Sequence, residues 1–189
     1  MSRPVLLVPG FLDSPACFHR LGPRLEQAGF STIPVRLTPR LATCSLRRFA
    51  GQVAEAAAPF PEVDVVGFSM GGLVSRLWVQ RMNGSEKVRR LVTLASPHRG
   101  SHMARAMPQT AAREMRPGSD LLNDLEQDAE VLEQVQFASL WTPYDLTVLP
   151  GASGDIGAGS EQVDVKLHRL MLYDEGVAGR VIELLRETA

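Results

Sequence analysis

The run Val63-Asp-Val-Val-Gly-Phe-Ser-Met-Gly-Gly-Leu-Val-Ser-Arg-Leu-Trp-Val-Gln-Arg-Met82 decides how this chain is read. Val63 to Phe68 is short and mostly apolar, as expected of a strand covered on both faces. Met70 to Met82 carries Leu73, Val74, Leu77, Trp78 and Met82 at helical spacing. Between them, Gly67-Phe-Ser-Met-Gly71 matches G-x-S-x-G. The match gains weight from its context, because the motif requires a strand before it and a helix after it. A serine hydroxyl is a weak nucleophile that must meet both a base and a substrate. A sharp strand-to-helix turn would lift Ser69 out of the sheet, and side chains at positions 67 and 71 would crowd that turn. The helix opening at Met70 would direct its N-terminal N–H groups, the Met70 amide among them, toward a developing oxyanion. The plain alternative is a glycine-rich turn with an incidental serine at the helix N-cap.

Outward from this junction, apolar runs alternate with amphipathic ones. Strands are expected at Val5–Val8, Ser31–Leu37 (an edge strand, given Pro34), Val88–Ala95, Val135–Trp141 and Glu161–Leu167. Helices are expected at Phe18–Ala28, Leu46–Ala58 and Glu175–Glu187. This order predicts an α/β domain of about six mainly parallel strands with helices on both faces, one domain over residues 1–189. Residues 100–134 are long for a simple crossover; they read as a crossover helix with extra turns, as a small cap over a site, or as both.

Composition narrows the classes. Hydrophobic residues make up 44% and charged residues 22%, enough apolar material for a sizeable core. The formal net charge is −1 with the cations dispersed, which argues against a nucleic-acid partner. No apolar run reaches the length of a membrane span. The opening segment lacks the long apolar stretch of a signal peptide, so a cytoplasmic location is expected, a trimmed secreted form being the alternative. Cys17 and Cys44 fit no zinc pattern and read as free thiols, with a single disulfide as the lesser alternative.

Three blocks together resemble the α/β-hydrolase superfamily, in particular small bacterial lipases and esterases: Val5-Leu-Leu-Val-Pro-Gly-Phe11, Val63 to Arg76, and Val88 to Ser101. The resemblance covers the first half of the chain and implies a minimal form of that fold. Val8-Pro9 stand where the family commonly has His-Gly, but its second oxyanion donor is a backbone N–H, which Phe11 can supply. The family's order of nucleophile, acid and histidine leaves His168 as the base, because His19, His98 and His102 come too early. On pattern alone His168 could be the next polar position of a half-exposed strand. Asp145, in the loop after the fifth strand, is the candidate acid, and Asp155 is the runner-up. Asp120, Asp124 and Asp128 read as solvated helix residues.

The function this implies is a serine hydrolase of carboxylic esters, with Ser69, Asp145 and His168 as the triad and Phe11 and Met70 as the oxyanion hole. Leu12, Met103 and Met107 would line an apolar acyl pocket, and His98 would touch substrate or merely pack a turn. The substrate is a small-molecule ester, and neither cofactor nor metal is required. Thioester cleavage or acyl transfer by the same triad is the alternative, and a non-catalytic binding protein is a third reading.

Overall fold

A computed structural model describes residues 3–187. Six parallel strands form one sheet: β1 (Val5–Val8), β2 (Thr32–Pro34), β3 (Val63–Phe68), β4 (Val88–Leu94), β5 (Gln136–Trp141) and β6 (Ser160–Gln162), in the order β2-β1-β3-β4-β5-β6. The helices are α1 (Leu21–Gln27), α2 (Leu46–Ala57), α3 (Met70–Arg81), α4 (Thr110–Glu114), α5 (Asp120–Gln127) and α6 (Glu175–Arg186).

The period-two alternation of each strand sorts its side chains into two cores. Leu6, Val8, Val65 and Leu91 pack with Leu46, Phe49 and Val53 of α2 and Leu73, Val74 and Leu77 of α3. Val5, Leu7, Val66 and Val92 face the other way, onto Leu21 and Leu25 of α1 and Val177, Val181 and Leu185 of α6. Each of these side chains contributes about 1.5–3 kcal/mol on burial. Pro34 is tolerated in β2 because that strand has a neighbour on one side only.

The register pairs Val8 with Gly67, Phe68 with Leu94, and Leu94 with Leu140. The carboxyl ends of the central strands therefore lie level, and the loops after them share one end of the sheet. From β1 the chain steps outward to β2 and then back past β1 to β3. That reversal is where open parallel sheets leave a crevice for ligands.

Several elements differ from expectation. The helix expected at Phe18–Ala28 splits into a 3-10 turn at Pro15–Phe18 and α1. β2 and β6 each keep three residues, and the sixth strand ends at Gln162 instead of running to Leu167. His168 consequently opens a 3-10 turn, His168–Leu172, and is not the next position of a strand.

Helix α3 is buried on all sides from Met70 to Gln80, not on one face. Residues 100–134 explain this, because Leu122, Leu125 and Leu132 join the core on its outer side. Polar groups seal the contact: Arg76 Nη2 and Gln80 Nε2 both donate to the Leu125 carbonyl, at 2.9 and 2.8 Å. Arg76 is fully buried, and burial lowers its pKa to about 10 despite Glu126 nearby. Asp124 and Asp128 both pair with Arg81 and so are not simply solvated. Both cysteines are free. Among the described residues no helix is long and apolar enough to cross a membrane.

Candidate active site

Ser69 lies between β3 and α3 with φ 54° and ψ −122°, a conformation that side chains rarely adopt. Its amide donates to the Leu94 carbonyl at 2.8 Å, fixing the turn to β4. The surrounding glycines are required by close approach. A Cβ at Gly67 would lie 2.5 Å from the Gly72 Cα; one at Gly71 would lie 2.6 Å from the Pro9 carbonyl oxygen; and one at Gly72 would lie 2.9 Å from the Ser96 Cβ. The end of β1 and the start of α3 thus touch backbone to backbone.

The loop after β1 passes directly over the serine. A Cβ on Gly10 would stand 3.1 Å from the Ser69 Cβ, and Phe11, the next residue, lines a cavity together with Ser69. Leu12 follows with φ 60°, the bend that turns the loop away. The Phe11 and Met70 amides donate to no acceptor among the described residues, and Met70 begins a helix whose dipole favours negative charge at that end.

Asp145 and His168 are brought together. Asp145 Oδ2 lies 2.6 Å from His168 Nδ1, and its Oδ1 accepts from the Thr147 and Val148 amides at 2.7 and 2.8 Å. The carboxylate is 2% exposed, and every one of these partners is a donor to it. An Nδ1–H bound to the carboxylate leaves Nε2 as the acceptor. The Phe68 ring packs against the imidazole, with centroids 4.8 Å apart. Ser69 and His168 line one cavity of about 420 Å³, with Phe11, Leu12, Asp13, Met107, Leu146, Thr147, Leu167 and Arg169. His168 Nδ1 is engaged by Asp145, and a hydroxyl–imidazole hydrogen bond of this kind tightens when substrate binds.

Asp155 is not brought to His168; its Oδ1 accepts locally from the Gly157 amide at 3.0 Å. His98, expected to touch substrate or pack a turn, lines neither cavity beside the serine. It is 1% exposed, its Nε2 lies 2.9 Å from Thr93 Oγ1, and its ring packs on Phe137. Burial, with Arg76 beside it, pushes its pKa well below the ordinary histidine value. The substrate role for His98 is therefore replaced by the packing one.

A second cavity of about 260 Å³ also opens at Ser69 and Phe11, lined by Met103, Ala104, Met107, Met115 and Val148 among others. Met115, Leu146, Thr147 and the Asp13–Arg169 ion pair were not legible in the sequence. Asp13 and Arg169 are 156 positions apart, and no local pattern joins them. Among the described residues, no group of three or more His, Cys, Asp or Glu side chains could hold a metal.

A family model described as palmitoyl protein thioesterase matches residues 4–144. No curated protein matches the sequence. Among solved structures, a mature lipase of Bacillus licheniformis superposes with TM-score 0.76 at 16% identity, over 97% of this chain and 91% of that one. Aspergillus fumigatus lipase B gives TM-score 0.81 at 14% identity, over 100% of this chain and 53% of that one. A lipase-esterase related protein of Clostridium acetobutylicum gives 0.70 at 15%, over 96% and 94%. At these identities the likeness is one of fold: this chain has a minimal α/β-hydrolase fold.

Proposed function

The chain belongs to the palmitoyl protein thioesterase family, and from that premise we propose that it is a serine hydrolase that cleaves carboxylic esters with apolar acyl groups through an acyl-enzyme on Ser69. The observation that carries this reading is the 2.6 Å contact of Asp145 with His168 on the wall of the cavity that holds the strained Ser69. Ser69 Oγ attacks the acyl carbonyl while His168 Nε2 takes its proton. The carbonyl oxygen becomes an oxyanion held by the Phe11 and Met70 amides. Asp145 fixes the imidazole tautomer and stabilises the imidazolium. Collapse breaks the bond to the leaving group, which takes the proton from His168. Water, deprotonated by His168, then attacks the acyl-serine, and collapse releases the carboxylic acid as Ser69 Oγ takes that proton back from His168.

Thioester cleavage is the second reading, favoured by the matching family description. The same residues would serve it, since a thiolate departs with less help from a general acid. Acyl transfer differs only in replacing water with another acceptor. Two free cysteines suit a reducing compartment, which supports a cytoplasmic location.

The test is labelling with a fluorophosphonate, combined with hydrolysis of matched oxygen esters and thioesters. Wild type should be labelled at Ser69 and should turn over at least one series, and Ser69→Ala should do neither. A folded wild type that is not labelled and cleaves nothing in either series would remove the enzymatic reading.

A further inference from the structure

We propose that Asp13 and Arg169 are positioning residues for the reaction: their ion pair ties the turn that carries the Phe11 amide to the turn that carries His168. This rests on the reading of Ser69 as nucleophile with the Phe11 amide as an oxyanion donor. The two residues are 156 positions apart in the chain. Asp13 stands two residues beyond Phe11, and Arg169 directly follows His168 in the 3-10 turn His168–Leu172. Arg169 Nη2 donates to Asp13 Oδ1, and both residues border the cavity that Ser69 and His168 line. Neither takes a proton or holds the oxyanion in the reaction at Ser69, so each acts through what it keeps in place.

The turn around Phe11 needs outside support. The Asp13 amide donates to the Gly10 carbonyl at 3.2 Å, closing a four-residue turn with Phe11 and Leu12 at its centre. Leu12, the third residue of that turn, has φ 60°, where glycine is the usual choice. A leucine in that conformation persists only where its surroundings hold it. Two groups do so. Arg40 Nε donates to the Leu12 carbonyl at 3.2 Å. The Asp13 carboxylate lies back over the turn, since a Cβ on Gly10 would be 2.9 Å from its Oδ2, and Arg169 holds its other oxygen.

Burial decides how firmly the pair holds. An ion pair exposed at both ends contributes little, because water serves either partner nearly as well. Here the Asp13 side chain is 13% exposed and that of Arg169 51%. Among the described residues, Arg169 makes the only ion pair with Asp13. Removing the guanidinium leaves a mostly buried carboxylate without its cation, and such a group regains solvation by swinging toward water. Asp13 would carry its turn, and the Phe11 amide, with it. His168 stays behind, because Asp145 Oδ2 holds its Nδ1 at 2.6 Å. The spacing of oxyanion donor and base therefore changes. The transition state needs both groups at once and the bound ester does not, so the loss falls on kcat and spares KM. Losing a whole oxyanion donor costs about 10²–10³-fold, and displacing one costs part of that, about tenfold or more.

The experiment measures kcat and KM for nitrophenyl butanoate and the matching thioester, and the second-order rate of fluorophosphonate labelling, which reads the same oxyanion site through a tetrahedral adduct. The proteins are wild type, Arg169→Gln, Asp13→Asn and the double variant of the two. Each single variant should lower kcat and the labelling rate about tenfold or more while KM stays within about twofold. The double variant should be no slower than the slower single, because both changes break one contact. Unchanged kcat in the folded single variants, or losses that multiply in the double, would overturn the assignment. A raised KM at unchanged kcat would overturn it too, making Arg169 a substrate contact. If one single variant fails to fold, the other carries the kcat and KM comparison. A wild type that neither turns over substrate nor is labelled at Ser69 would instead sink the nucleophile reading, before any variant is compared.

Discussion

The same substitution, glycine to alanine, should have opposite effects at two helical positions of this protein. Gly179 sits inside α6, and a Cβ built there meets nothing within 4 Å. Alanine there removes the conformational cost of glycine in a helix and should stabilise by about 0.5–1 kcal/mol. Gly71 sits in the first turn of α3, and its Cβ would lie 2.6 Å from the Pro9 oxygen, with the Val8 carbonyl group nearer or as near. Ordinary contact begins at 3.4 Å, so the new methyl overlaps backbone by about 0.8 Å or more. Those carbonyls end β1, which is paired with β2 on one side and β3 on the other, and so cannot retreat cheaply. Overpacking of this kind costs about 1–3 kcal/mol, and here the upper part of that range applies.

The two variants should therefore differ by about 3–4 kcal/mol, or roughly 10 °C in Tm for a chain of this size. The clash also separates the Met70 amide from the Phe11 amide, and a misplacement of about 1 Å can cost on the order of a hundredfold in rate. Urea unfolding at pH 7 reads the first quantity, and ester hydrolysis below the unfolding temperature reads the second. If Gly71→Ala matched wild type within about 0.5 kcal/mol and kept its activity, the close contact between the end of β1 and the start of α3 would be wrong.

Asp145→Asn should lower kcat by about 10³–10⁴-fold without unfolding the protein, because it reverses the polarity of the bond to His168, whereas Asp155→Asn should change kcat less than threefold; the opposite pattern in steady-state assays would reassign the acid. His98 gives a pH prediction whose sign follows from its burial. Its folded pKa lies well below the ordinary value of about 6.5, so stability is full above that value and declines as pH falls through it, since only the unfolded chain takes the proton. Each unit costs up to about 1.4 kcal/mol until the folded pKa is reached. His98→Asn should lose stability at pH 7 yet show a shallower decline between pH 7 and pH 5 in denaturant titrations; parallel declines would refute the assignment.

What the sequence by itself determined lies where local rules and global structure agree. Val5–Val8 and Val63–Phe68 form strands with the expected bounds, because continuous apolar runs have no option but burial between two helix layers. The turn at Ser69 was equally legible: glycines at 67, 71 and 72 have a local purpose that can be read without knowing what they touch. The short edge strands were less so, since β6 ends where its pairing with β5 ends, and its own residues do not mark that point.

What only the tertiary structure decided concerns groups far apart in the chain. That Asp145 and not Asp155 meets His168 depends on which loop reaches the histidine, a matter of three-dimensional closure over 23 residues. The fate of His98 depends on burial behind α3, and burial is a property of what the rest of the chain covers. The all-round burial of α3 follows from Leu122, Leu125 and Leu132, which no periodicity within the helix could reveal. Periodicity reports the environment a segment needs. The partner that supplies it is fixed only when the sheet brings distant loops to the same end.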